Sequence, residues 1–504
     1  MNRRLTPANV GLLAACAVAA SIGMALMLFV FSVGSVKVVG GLAGASVFLF
    51  AAYLSGNLRL FCIWGLGMTL PFDLSKRFGP FIMKMGGENS FRVEMSDPFI
   101  LALAVFVAWD IWRGRRVFRL PRVSYVWLAI AAMGILTAII GPYRITALHE
   151  VVRMGKVLFL FLVVCNELTT RKRILHAGGA LVAGVLIQAM TALVQYITRA
   201  DLGLQMLGEA TYETTEIIAQ TSVRGSDVFR ASGFLNHPNI LGAFLAMLLP
   251  LSLVLIMAKT SRAMRLFFIV TSMLGVSALI TTLSRSGWVS FATGFAALMA
   301  LLIFHQGMQR RSLIAAALAM VMLLSVGLVF AKPITSRIFS SSDQAMLGRS
   351  AYMKTAIGVI GAKPITGWGL NSYVFVSPPF TSFGARGAFA RFGPWVPIVH
   401  NIYLLWWAET GIIGLILHLA VFGLILLRAV SNLRVRDHLL FAVNAACLAG
   451  LLGFLVDGFF SFSFRFNGIM RAFWVVAGII FAIYYWRLRD ERTRRDERRP
   501  LVAS

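Results

Sequence analysis

His400 opens the run His-Asn-Ile-Tyr-Leu-Leu-Trp-Trp-Ala-Glu-Thr-Gly-Ile-Ile-Gly, where a long polar segment meets a hydrophobic stretch. A histidine at such a boundary is wet on one side and packed on the other, so its proton affinity can be tuned. Unperturbed, the imidazole titrates near ~6.5 and accepts a proton at neutral pH. General base catalysis by such a group contributes roughly 10²–10⁴ in rate. Three arginines, Arg230, Arg285 and Arg349, stand at similar boundaries. Guanidinium is planar, permanently charged and able to grip phosphate with two parallel hydrogen bonds. These residue types point to a phosphate clamp beside a general base, at the outer face of a membrane.

Each residue also has a plain structural reading. The segment Arg230-Ala-Ser-Gly-Phe-Leu-Asn-His-Pro-Asn239 reads as the approach to a helix. Gly233 permits a close backbone turn, Asn236 is a plausible cap and Pro238 suits the first helical turn. A helix N-terminus offers free amides and partial positive charge to phosphate, and Arg230 adds a full charge. Read alone, the segment is an ordinary helix start, with His237 in a capping or packing role. Leu347-Gly348-Arg349-Ser350 precedes an amphipathic run, and Pro364 to Tyr373 contains Gly367 and Gly369, which mark a bend. Trp368 and Tyr373 suit the lipid headgroup level. Arg285, in Ser-Arg-Ser-Gly on a tight turn, suits lipid phosphate equally well. Glu409 and Asp457 are carboxylates inside apolar stretches, where a charge is costly. Glu409 is expected to orient the acceptor or an arginine, or to form a structural ion pair. Asp457 is expected to pair with Arg465 or Arg471.

The elements that must hold these residues are membrane helices. The chain has 504 residues, 59% hydrophobic and only 13% charged, whereas a soluble domain is about a quarter charged. Many apolar runs reach the roughly 20 residues that cross a hydrocarbon core. The fold class expected is an all-α polytopic membrane protein. Spans are read at 9–31, 36–55, 58–72, 97–112, 123–141, 150–167, 174–197, 238–258, 266–283, 288–305, 312–331, 401–427, 438–459 and 468–486. That makes about 12–14 helices, with 58–72 the shortest. The long span 401–427 contains Glu409, Thr410 and Gly411, and a tilt or break is expected there. Connections 73–96, 198–237 and 332–400 are too long to be passive and are expected to cap the bundle. The four cysteines, Cys16, Cys62, Cys165 and Cys447, all lie in apolar runs and suggest neither disulfide nor metal. The formal charge of +27 gathers in short connections such as 113–122, 171–173 and 428–436, and in the 487–504 tail. Positive loops face the cytoplasm, so both termini are expected inside and the long connections in the periplasm. Nucleic acid is not an expected partner, because no soluble aromatic and basic module is present.

These pieces together resemble the O-antigen ligase-related family of bacterial inner-membrane proteins. His400, Asn401, Gly411 and Gly414 fit that family's ligase pattern: His, a polar residue, nine residues, Gly, two residues, Gly. Arg230-x-x-Gly233 with Pro238-Asn239, and Arg349 followed by Pro364 and Gly367-x-Gly369, look like two further blocks in the family's order. The resemblance covers mainly 225–425. It implies a lipid-sugar glycosyltransferase architecture, with N-terminal helices in 1–197, a ligase-like core in 198–427, C-terminal helices in 428–486 and a basic tail in 487–504. It implies a glycan donor on undecaprenyl diphosphate and a saccharide acceptor, either a lipid-linked repeat unit or lipid A-core, in a setting of membrane lipids. Arg230, Arg349 and Arg285 would bind the diphosphate. His400 would deprotonate the acceptor, with Asn239, Asn401 and Glu409 in positioning roles. Transfer would be inverting, with no cofactor and no metal, since no Asp-x-Asp pair occurs in the outer segments. The long 332–400 connection and the extended N-terminal region lean towards polymerase over ligase. A transporter or flippase of polyprenyl-linked glycans is the alternative. No internal repeat favours it, and the polar groups gather on one face rather than along a central path. Residues 73–96, with Gly86-Gly87-Glu88-Asn89, match no ligase feature.

Overall fold

The computed structural model describes residues 56–72, 74–82, 87–210, 221–223, 226–256, 258, 260–304, 343–381 and 398–497. The spans read at 9–31, 36–55 and 312–331, and much of the 332–400 connection, lie outside these residues. Helices α1 (Leu58–Thr69), α2 (Asp97–Trp112), α3 (Arg122–Ile140), α4 (Arg144–Glu167) and α5 (Arg171–Thr198) come first. Then follow α6 (Pro238–Leu255), α7 (Arg262–Thr281), α8 (Arg285–Phe304) and α9 (Asp343–Ala362). A single turn, α10 (Tyr373–Val376), precedes α11 (Ile402–Ser431), α12 (His438–Asp457) and α13 (Asn467–Glu497). All eleven spans read within the described residues are helices. Eight helices among the described residues are long and apolar enough to cross a membrane, as a multi-pass membrane protein requires.

Hydrophobicity all round a helix sends it to the middle of a bundle. In α6, 94% of the spanning window is buried, against 28% in α3, whose Ile135, Leu136, Ile139 and Ile140 are exposed. Small residues let α6, α8 and α12 touch through their backbones. A Cβ added at Gly287 would lie 3.0 Å from the Gly242 Cα, and one added at Gly294 would lie 2.8 Å from the Ala449 carbonyl oxygen. The bundle therefore holds the start of α8, which is Arg285, tightly against the start of α6.

The expectation of an all-helical chain needs one correction. Among the described residues two short antiparallel pairs occur, β1 (Ser75–Phe78) with β2 (Phe91–Glu94), and β3 (Thr221–Val223) with β4 (Ser226–Val228). Both lie in connections read as cap loops. The first is anchored inward, since Lys156 on α4 binds Glu94 at 2.7 Å and Asp97 at 2.8 Å. Arg471 on α13 also reaches Glu94, at 3.4 Å. Ion pairing across β2, α2, α4 and α13 thus turns a polar connection into ordered structure.

The break expected in the long span falls at Gly411, with φ 64° and ψ −174°. About nine residues at ~1.5 Å each place it roughly 14 Å from the start of α11. The turn over 364–369 fills the gap. Trp368 N–H donates to the Ala408 carbonyl (3.1 Å), Gly369 N–H to the Glu409 carbonyl (2.7 Å), and Ile412 N–H to the Pro364 carbonyl (2.9 Å). Backbone groups freed by the break are therefore satisfied, as an apolar setting demands. Gly367 and Gly369 take φ 68° and 109° to allow this approach. A side chain at 411 would collide with the Ile365 carbonyl. Gly411→Ala is expected to destabilise the fold by about 2 kcal/mol or more. Gly423→Ala, where the space is open, is expected to leave the melting temperature unchanged or raised. Thermal melting of the two purified variants checks the contrast.

Candidate active site

Chain direction puts the starts of α4, α6, α8, α11 and α13 and the ends of α5, α7 and α12 at one end of the bundle. Arg230, Arg285 and His400 lie at these helix ends, and α9 brings Arg349 to them.

Asn401 caps α11, its Oδ1 accepting from the amides of Tyr403 and Leu404, both at 3.0 Å. Ile402 N–H donates to the Gly458 carbonyl (2.9 Å), and Tyr403 Oη donates to the Leu455 carbonyl (2.6 Å). The start of α11 is thereby fixed on the end of α12. His400 sits one residue before the cap. Its ring stacks on Tyr352 (5.6 Å between centroids, 17° between planes) and meets Phe462 edge to face (5.2 Å, 84°). Its Nδ1 lies 3.1 Å from the Ile398 carbonyl. A carbonyl only accepts, so this contact assigns the proton to Nδ1 and leaves Nε2 as the basic nitrogen. Burial first, and the charge of Arg349 second, push the imidazole down to about 4. At neutral pH it is therefore uncharged and able to take a proton.

Arg349 lies one turn before Tyr352 on α9, on the same side of the helix. It remains exposed to solvent. Its proton affinity is lowered by partial loss of solvent and then by the charge of Arg285. Two cations thus lie within electrostatic reach of one another, and among the described residues no carboxylate is paired with either. Arg230, by contrast, is buried. Its Nε donates to the Thr282 carbonyl (2.9 Å) and its Nη2 to Asn239 Oδ1 (2.7 Å). It therefore fastens the turn between α7 and α8 to the first turn of α6. The cap of α6 is His237 rather than Asn236, its Nδ1 accepting from the Asn239 amide at 3.0 Å. Asn236 takes a left-handed φ of 60° and turns the chain into that cap. His237 is pushed down to about 3, by burial, then Arg230, then His400. The imidazole of His400, the cap of α6 and the three arginines therefore share one electrostatic neighbourhood.

Residues 270–419 match the family model described as O-antigen ligase. Arg285, Arg349, His400, Asn401, Glu409 and both glycines of the His400 pattern lie inside this O-antigen ligase domain. Arg230 and Asn239 lie before it and reach it through Thr282. No curated protein matches the chain.

Glu409 faces inward from the break in α11 of the O-antigen ligase domain. Its carboxylate pairs with Arg465 and accepts from the amides of Asn371 (2.9 Å) and Tyr373 (3.3 Å). Arg465 also pairs with Glu150 at 3.3 Å, and Glu150 with Arg153. Burial opposes the charge of Arg465, but Glu409 and Glu150 outweigh it and raise its proton affinity. The network locks the 364–373 turn, α11 and the segment before α13. Tyr373, expected at the headgroup level, is instead 1% exposed within this packing. The pairing expected for Asp457 also differs. Arg465 and Arg471 are committed to Glu150, Glu409 and Glu94, and Asp457 lines a small cavity with Ser461, Ser463 and Tyr403.

Other positioning residues were not singled out from the sequence. Gln195 Oε1 accepts from the Gly233 amide (2.8 Å), and Gln188 Oε1 from the Phe234 amide (3.0 Å). Their side chains hold the Arg230–Asn239 strap in place. The available signal was two glutamines seven residues apart on one face of an apolar helix. Tyr352 and Phe462, the walls of the His400 slot, carried no comparable signal.

Among the described residues no group of three His, Cys, Asp or Glu side chains is placed to hold a metal ion. The cationic character of the site comes from guanidinium groups.

Proposed function

We propose that this chain is an inner-membrane glycosyltransferase that moves a glycan from undecaprenyl diphosphate to a saccharide hydroxyl. The observation that carries the reading is the meeting of an uncharged histidine with Arg285 and Arg349 beside the α6 N-terminus, within and next to an O-antigen ligase domain. The diphosphate lies against Arg349 and Arg285, with Arg230 and the first amides of α6 adding positive potential. The acceptor hydroxyl gives its proton to His400 Nε2. Its oxygen forms a bond to the anomeric carbon from the side opposite the diphosphate. The bond from that carbon to phosphate oxygen breaks, the electron pair leaves with the diphosphate and configuration inverts. Fixed guanidinium groups stabilise the leaving charge without reorganising.

The basic connections cluster at the opposite end, among them Arg113, Arg115, Arg116, Arg171 and Arg173, which supports a periplasmic site and cytoplasmic termini. With a lipid-linked repeat unit as acceptor the enzyme is a polymerase. With lipid A-core it is a ligase.

Purified protein in detergent, given defined donor and acceptor, is expected to transfer glycan at an undiminished rate in excess chelator. Detergent leaves no closed compartment, so turnover there also separates transfer from transport. Loss of activity with chelator, restored by a divalent cation, would overturn the metal-independent mechanism.

A further inference from the structure

The hairpin of β1 and β2 falls in the one long connection that the O-antigen ligase resemblance leaves without a role. Its register sets Arg77 directly opposite Arg92. Residues opposite one another in an antiparallel pair project from the same face, and like charges there are destabilising. Arg92 is partly compensated by Glu88, 2.8 Å from its Nε, and by Asn89. Arg77 rests over the Phe81 ring at 5.2 Å, and among the described residues no carboxylate is paired with it or with the exposed Lys76.

These three residues line an open groove together with Ser75, Glu209 and Asn236. Glu209 does not neutralise them at contact. Its oxygens are engaged by the Gln195 side chain (2.6 Å) and by the amides of Leu202 (2.9 Å) and Leu204 (2.8 Å). Ser75 offers a hydroxyl suited to hydrogen bonding with sugar hydroxyls. Asn236 directly precedes His237, the cap of α6 in the site described above, so the groove adjoins the reaction centre. The hairpin is also tied to that centre. Asn371 Nδ2 donates to the Glu88 carbonyl (2.7 Å), and Asn467 Nδ2 to Glu88 Oε2 (2.9 Å).

We infer that the β1–β2 hairpin and Asn236 form the docking groove for the acceptor, a saccharide bearing an oxyanion held between Arg77 and Arg92. The inference rests on the glycosyl-transfer reading and names the acceptor's chemistry. The oxyanion is a sugar carboxylate or a sugar phosphate, and both suit a guanidinium pair.

The test uses the full-length protein in detergent with three probes: tetragalacturonate, maltotetraose 1-phosphate and neutral maltotetraose. Binding of at least one anionic probe is expected, in preference to the neutral one, and the better of the two identifies the oxyanion. Arg77→Glu and Arg77→Gln are each expected to weaken that binding, by about tenfold or more, while binding of undecaprenyl diphosphate stays unchanged. Equal binding of charged and neutral probes, or an unaltered affinity in both variants, would overturn the groove assignment alone. Failure of the wild-type protein to bind undecaprenyl diphosphate would overturn the transfer reading, and the groove's role with it.

Discussion

His400→Ala is expected to lower glycan transfer by roughly 10²–10⁴ while leaving donor affinity nearly intact. The ring packs between Tyr352 and Phe462, so His400→Gln serves as a control that keeps polar bulk and removes the base. The pH profile carries more information than the loss. In the free protein the imidazole lies at about 4, below its ordinary value, so the basic form prevails from neutral pH down to about 5 and is lost as pH falls through 4. The acid limb of kcat/KM, which reports the free enzyme, should therefore lie near that value. Bound diphosphate brings negative charge between Arg349 and His400 and raises the imidazole's proton affinity. The acid limb of kcat, which reports the loaded enzyme, should lie at higher pH. In Arg349→Gln the positive charge that disfavours the imidazolium is gone, and the kcat/KM limb should move up in pH. Steady-state rates between pH 3 and 9 check all three statements. A limb that stays in place in Arg349→Gln would separate the two residues.

Removing Arg349 is expected to cost about 10²–10³ in transfer, the scale of losing one donor to a developing negative charge. Arg349→Lys should recover part of this, because the residue is exposed and a lysine keeps the charge without the planar fork. Arg230 should behave differently. Its Nε and Nη2 hold two separate elements, the Thr282 carbonyl and Asn239. A lysine cannot span both, so Arg230→Lys is expected to fail as fully as Arg230→Ala and to lower the melting temperature as well. Transfer rates and thermal melts measured on the same preparations distinguish a ligand of the diphosphate from a brace of the site.

The site was legible from the sequence where chemistry and local geometry coincide. Gly411 breaks its helix and Pro238 opens α6, each at the position the local sequence marks, whereas the capping role of Asn401 emerges only in the structure. The spacing of His400, Asn401, Gly411 and Gly414 is legible as a family pattern, and the structure gives it physical content in a capped helix start and a break at Gly411. Contacts across the bundle were less legible. Nothing near Glu409 specifies that Arg465 and two backbone amides will consume its carboxylate. Proximity in the sequence points Asp457 to Arg465 and Arg471, but Glu150 on α4 and Glu409 on α11 claim the first and Glu94 on β2 claims the second. The β1–β2 hairpin was read as loop because its strands are four residues each and mostly polar. Its order comes from Lys156, Arg471 and Asn371, all distant in the chain. The cap of α6 went to His237 rather than Asn236 because the left-handed turn at Asn236 aims its neighbour at the free amide.

The central claim is that Arg349, Arg285 and His400 close on one diphosphate-linked sugar. A structure of the His400→Ala protein in lipid nanodiscs with an undecaprenyl diphosphate-linked glycan tests it most directly. Phosphate oxygens are expected within hydrogen-bond distance of Arg349 and Arg285, with the anomeric carbon facing position 400. Donor phosphate bound at the opposite end of the bundle, or out of reach of both arginines, would contradict it.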